Sequence, residues 1–184
     1  MSNSHAMLWR RVDVGGHDAC LISRLGGAWI IEGTAVFSAK GEPSILNYRV
    51  TCDERWRSRS GHVSGWIGRA PIDLLLERKD SGRWSANGAQ LPDLDAALDI
   101  DLGFTPATNT NAIKRMKLEI GGQSDTVAAW LDPSDWTVKP LEQSYKRLGV
   151  CSYDYNSPLH GYRAILHTDA FGFIINYPQL WVKE

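Results

Sequence analysis

Asp99-Ile100-Asp101-Leu102-Gly103-Phe104-Thr105-Pro106-Ala107-Thr108-Asn109-Thr110-Asn111-Ala112-Ile113-Lys114-Arg115-Met116 is the stretch on which the reading of the fold turns. It opens with apolar and acidic residues in alternation, as a half-buried strand does. It then runs through Thr, Pro and Asn, residues that favour turns because their short side chains bond nearby backbone. Ile113–Ile120 resumes the alternation, with Met116, Leu118 and Ile120 on one side and Arg115, Lys117 and Glu119 on the other. The spacing therefore predicts one polar feature held between two strands. Folding those strands together would bring Asp99 or Asp101 against Arg115 or Lys117 on a common face.

Working outward, the same period of two recurs along most of the chain. Trp29, Ile31, Gly33, Ala35 and Phe37 share one side of a strand, and Ser44–Asp53, His62–Ile67 and Pro71–Lys79 alternate likewise. Thr126–Leu131, Gln143–Tyr155, Gly161–Thr168 and Phe171–Tyr177 continue the pattern. Turn signals such as Gly26-Gly27, Gly41-Glu42-Pro43, Asp80-Ser81-Gly82 and Asn87-Gly88 separate the segments. Only Pro92–Leu98 and Asp132–Asp135 read as helical turns. Short strands joined by tight turns indicate an all-β protein built from a single strongly curved antiparallel sheet.

The chain has 184 residues, enough for one domain with a substantial core. Residues 8–184 are expected to form that domain, and residues 1–7 a disordered or cloning-derived extension. A balance of 20 basic and 21 acidic residues gives no global pull toward nucleic acid or an anionic surface. No apolar run approaches the roughly 18 residues of a membrane helix. Cys20, Cys52 and Cys151 have no metal or redox spacing, so three reduced thiols in the cytoplasm are expected.

Searches for chemistry return little. Gly61-His62-Val63-Ser64-Gly65 lacks the strand-to-helix context of a nucleophile elbow. His160 and His167 lack ligand spacing, so no metal and no cofactor are expected. Arg55-Trp56-Arg57-Ser58-Arg59 reads as a solvated turn around a half-buried Trp rather than a base-stacking surface, and no nucleic-acid partner is expected. Asp99 and Asp101 sit roughly 7 Å apart on one strand face, the separation of an acid/base pair. An enzyme acting on a sugar or lipid therefore stands as one alternative, and an interaction module without a small ligand as another.

From Leu98 through Pro178 the chain resembles a family of bacterial proteins described as putative glycolipid-binding. The resemblance rests on Asp99-Ile100-Asp101-Leu102, Thr105-Pro106-Ala107-Thr108-Asn109-Thr110 and Ile113-Lys114-Arg115-Met116. It continues in Ala129-Trp130-Leu131, Val138–Tyr145, Tyr153-Asp154-Tyr155 and Asp169–Pro178. Where the family pattern has Leu-Pro this chain has Asn111-Ala112, which frees a backbone N–H and loosens the expected loop. The resemblance implies a spiral β-roll and a glycolipid ligand. A curved sheet can enclose one ligand in its groove. The expected site sets Asp99, Asp101, Asn109, Arg115, Gln143 and Arg147 on a polar head. Trp130, Tyr145, Tyr153 and Tyr155 stack against the apolar part.

Overall fold

A computed structural model describes residues 4–184. Fifteen strands form one sheet: β1 Ser4–Arg11, β2 Gly16–Leu25, β3 Ala28–Ala39, β4 Glu42–Cys52, β5 Ser58–Ile67, β6 Ala70–Arg78, β7 Trp84–Ala86, β8 Ala89–Leu91, β9 Asp99–Leu102, β10 Gln123–Asp132, β11 Thr137–Gly149, β12 Ser152–Ser157, β13 Tyr162–Thr168, β14 Ile174–Tyr177 and β15 Trp181–Lys183. One helix, α1 Asn109–Met116, interrupts the strands between β9 and β10. The expected antiparallel all-β roll is what forms. β1 already pairs with β2 from Ser4, so Ser4–Met7 belong to the sheet rather than to a disordered extension. Met1–Asn3 lie outside the described residues.

The strand order runs β8-β7-β6-β5-β4-β3-β2-β1-β15-β14-β13-β12-β11-β10-β9. Its two edges, β8 and β9, are therefore neighbours in sequence, and only residues 92–98 join them. This short connection makes the sheet coil back on itself. β9 consequently packs over β5: the Ser58 amide donates to the Leu98 carbonyl at 3.0 Å, and Ile100 donates to Ser58 Oγ at 2.9 Å. Gly61 is needed at this crossing, because a Cβ there would lie 2.7 Å from Ile100 Cδ1.

Side chains collect in two cores. Ile100 and Leu102 enter the main one with Trp9, Ile31, Leu46, Val50, Trp84 and Phe104. A smaller core on the opposite face joins Ala112 and Ile113 of α1 to Tyr145, Tyr153, Tyr155, Leu166 and Ile174. Two sequence readings are corrected here. Ile113–Met116 is helix, not strand, and β9 pairs with β10 in parallel because α1 carries the chain back to the same end. The freed Ala112 amide does not loosen a loop. It lies in the first turn of α1 and donates to Asn111 Oδ1 at 2.7 Å.

Candidate functional site

The Thr/Asn stretch is a buried hydrogen-bond network rather than a wetted loop. Thr105, Thr108, Asn109, Thr110 and Asn111 are all buried. Thr108 Oγ1 accepts from Leu102 N at 3.0 Å, fixing the start of α1 to β9. Asn111 Nδ2 donates to Ser58 Oγ and to the Ile100 carbonyl, at 3.0 and 3.2 Å. Asn109 Nδ2 donates to the Tyr145 hydroxyl at 3.0 Å. Thr105 Oγ1 donates to Asp18, a carboxylate in the main core that also accepts from the Tyr48 hydroxyl at 3.0 Å. Burial pushes the Asp18 carboxyl up to about 7, against the pull of these two hydroxyls.

The expected pairing of Asp99 with Arg115 forms, though from helix to strand. Arg115 Nε and Nη2 hold the two Asp99 oxygens at 2.9 and 2.5 Å, and Nη2 also donates to Thr126 Oγ1 at 2.7 Å. Burial raises the Asp99 carboxyl, and the guanidinium opposes that rise. Asp99 is 1% exposed and its oxygens are occupied. It is therefore not free to act as the partner of Asp101 in acid/base chemistry.

Asp101 is different. β9 brings it beside Trp130 of β10, and it opens on a cleft of about 140 Å³. The space equals roughly five waters at about 30 Å³ each. Asn109, Trp130, Tyr155, Ser157, His160 and Tyr162 line it, with Thr105, Tyr177 and Trp181. Gln143 sets the carboxylate: its Nε2 donates to Asp101 Oδ2 at 2.6 Å and to the Tyr155 hydroxyl at 3.0 Å, using both amide hydrogens. Among the described residues Asp101 Oδ1 has no partner. Burial pushes the Asp101 carboxyl up to about 6, the Gln143 amide opposing and the Asp99 charge adding.

The ten expected site residues thus fall into separate places. Asp101, Asn109, Trp130 and Tyr155 share the cleft, and Gln143 positions two of them. Tyr145 is fully buried behind Asn109. Arg115 and Gln143 border a different, more open groove of about 680 Å³ with Glu142 and Asn156, so Asp101 and Arg115 open on different clefts rather than on the single hollow expected. Tyr153 and Arg147 lie elsewhere, beside Lys117 and Asp169. Arg147 spends its guanidinium on the carbonyls of Leu118, Gly149 and Val150.

Trp84 and Trp56 are structural. Trp84 is in the core, donating to the Ala97 carbonyl at 3.1 Å. Trp56 is buried rather than half-buried, and stacks on Trp29 at 4.4 Å.

Sequence reading missed Ser157 and His160. Ser157 is 3% exposed, and its Oγ has no hydrogen-bond partner among the described residues. His160 meets the Trp130 ring edge-on at 4.6 Å. Ser157, His160 and Asp101 share the cleft without hydrogen-bonding one another, so no nucleophile relay is assembled. The signal available for Ser157 was its alternation with Tyr153 and Tyr155. For His160 there was none, because it sits in the 3-10 turn Pro158–His160.

A coiled all-β sheet with a small aromatic cleft around a partly buried carboxylate defines a β-roll. The chain belongs to the family described as putative glycolipid-binding, whose sequence profile matches residues 6–183. The match extends the likeness seen in Leu98–Pro178 through the N-terminal strands. The crystal structure of a DUF1089 family protein from Pseudomonas aeruginosa is similar, with a TM-score of 0.78 and 26% identity. The likeness covers 99% of this chain and 92% of that one. No protein of curated function matches the chain.

Proposed function

We propose that this protein binds an amphiphile of the glycolipid type without transforming it, and that the Asp101 cleft receives the sugar head. One observation carries the reading: Asp101, whose Oδ1 has no partner among the described residues, opens on a cleft lined by aromatic rings and by Ser157. A hydrogen bond to a charged group contributes about 1.5–3 kcal/mol, which a ligand hydroxyl at Asp101 would supply. Sugar rings offer hydroxyls at the edge for Asp101 and Ser157, and C–H faces for Trp130 and Tyr162. The volume suits one ring, so the alkyl part leaves over Leu141 and Leu180. The family description supports the ligand class. The unpaired thiols of Cys20, Cys52 and Cys151 suit the reducing cytoplasm.

Calorimetric titration with octyl glucoside and a panel of alkyl glycosides tests this. Sugar hydroxyls donate to the ionised Asp101, so affinity holds above about pH 6 and falls as the carboxyl gains its proton. Asp101→Asn weakens binding about tenfold or more, as expected for a hydrogen bond to a charged group, and flattens the pH dependence. Binding that ignores Asp101→Asn, or no binding across the panel, sinks the reading. Turnover of a glycoside, abolished by Asp101→Asn, would make the protein an enzyme instead.

A further inference from the structure

Four turns gather at one end of the roll: the loop from β1 to β2, Lys40-Gly41 between β3 and β4, Gly68-Arg69 between β5 and β6, and the turn from β10 to β11. They border an open groove of about 690 Å³, several times the size of the Asp101 cleft and within the roughly 300–1,000 Å³ usual for small-molecule sites. Its floor is apolar. Phe37 lies at the bottom, its ring stacked with Phe104 and Trp136 at 6.3 and 6.4 Å. Val14, Ala39, Ile67 and Ala70 complete the walls.

The rim carries positive charge. Lys40 and Arg69 are exposed, and neither has a carboxylate within ion-pair distance among the described residues. Lys40 Nζ reaches only the Ser134 carbonyl, at 3.5 Å. The nearby acids are otherwise engaged: Asp13 with Arg11 at 2.8 Å, and Asp132 and Asp135 with Lys139 at 2.7 and 2.6 Å. Glu42 supplies the single carboxylate of the described lining. The Arg11 guanidinium lies 5.0 Å over Phe37 and 5.4 Å from Trp181, a residue that also lines the Asp101 cleft.

An apolar floor beneath unneutralised cations matches an alkyl chain that ends in an anion. We propose that this mouth binds a free long-chain fatty carboxylate, its chain against Phe37, Ile67 and Trp136 and its carboxylate at Lys40 and Arg69. The site is independent of the sugar site proposed above, since the two clefts share none of these residues. A cationic amphiphile of equal length would meet repulsion at the rim. A neutral one would gain the floor without the charge.

Titration calorimetry of the full chain with octanoate, decanoate and dodecanoate, each below its micelle concentration, tests the floor. Affinity should rise roughly fourfold for each added methylene. Decanoate should bind more tightly than decanol, and decyltrimethylammonium least tightly. The Lys40→Glu/Arg69→Glu variant alters only exposed side chains. It should weaken decanoate roughly tenfold while leaving decanol unchanged. Asp101→Asn should leave decanoate binding intact, which separates this site from the sugar cleft. Affinity that ignores chain length, equal binding of the cationic amphiphile, decanoate binding unchanged by the double variant, or no binding at all overturns the proposal.

Discussion

Two buried carboxylates show how neighbours decide what an acidic residue does. Asp18 has hydroxyl partners and no cation, so burial dominates and its carboxyl rises to about 7. The native state keeps this proton where the unfolded chain has already released it. Folding stability from Asp18 is therefore full below about pH 4 and is lost as pH rises to about 7, at up to about 1.4 kcal/mol per pH unit. Asp18→Asn removes that slope. Urea midpoints of the wild type and Asp18→Asn across pH 4–8 should draw apart toward high pH in favour of the variant. Parallel curves would show that Asp18 ionises normally. Asp99, by contrast, is held by two Arg115 nitrogens at 2.9 and 2.5 Å. Arg115→Ala would strand that charge in the interior and should cost about 3–5 kcal/mol, read as a lowered urea midpoint. A loss below 1 kcal/mol would mean that solvent reaches Asp99.

Elements were legible to the degree that their period was unambiguous. Trp29–Phe37, Ser44–Asp53, His62–Ile67 and Pro71–Lys79 alternate cleanly, and β3, β4, β5 and β6 form over them, whereas β1, β2, β7 and β8 fall outside the segments read as strands. Ile113–Ile120 misleads because Met116, Leu118 and Ile120 fit a period of two, while Ala112, Ile113 and Met116 fit a helical face equally well. Packing settles it: α1 buries that face against Tyr145 and Tyr155 and stops at Lys117, whose backbone turns left-handed. The candidate site was half legible for a related reason. Strand alternation identified Asp101, Trp130, Gln143 and Tyr155, but it cannot show which polar residues a helix will press into the core. Gly103, just past β9, holds the cleft wall. A Cβ there would lie 2.6 Å from both Pro133 Cδ and Trp130 Nε1, and 3.0 Å from the Leu131 carbonyl. Gly103→Ala should therefore cost about 1–3 kcal/mol and displace the Trp130 indole, visible as a shifted indole N–H resonance. An unmoved resonance at full stability would mean the wall is soft.

At the scale of the whole molecule, the seven-residue connection 92–98 carries the chain from one sheet edge, β8, to the other, β9, which packs on β5. What fastens β9 there is small and polar. Ser58 Oγ accepts from the Ile100 amide of β9 at 2.9 Å and from Asn111 Nδ2 of α1 at 3.0 Å, tying one edge and the helix to β5. The Ser58 amide adds a bond to Leu98 at 3.0 Å, so a side chain and a backbone group close the roll together. Exposed sheet edges invite pairing with other chains, and here β9 is covered by the molecule itself. Ser58→Ala leaves the Ile100 amide without its acceptor, at about 1–3 kcal/mol, and removes one of the two acceptors of Asn111 Nδ2. If closure is cooperative with folding, the urea midpoint falls with the slope unchanged, because the whole roll still unfolds in one step. If β9 and α1 instead peel away first, the slope drops. The Ile100 amide would then exchange its hydrogen far faster than amides of β3 and β4. Retention of both midpoint and slope would show that the Leu98 contact alone suffices, and that the Asn111 side chain finds its partner elsewhere.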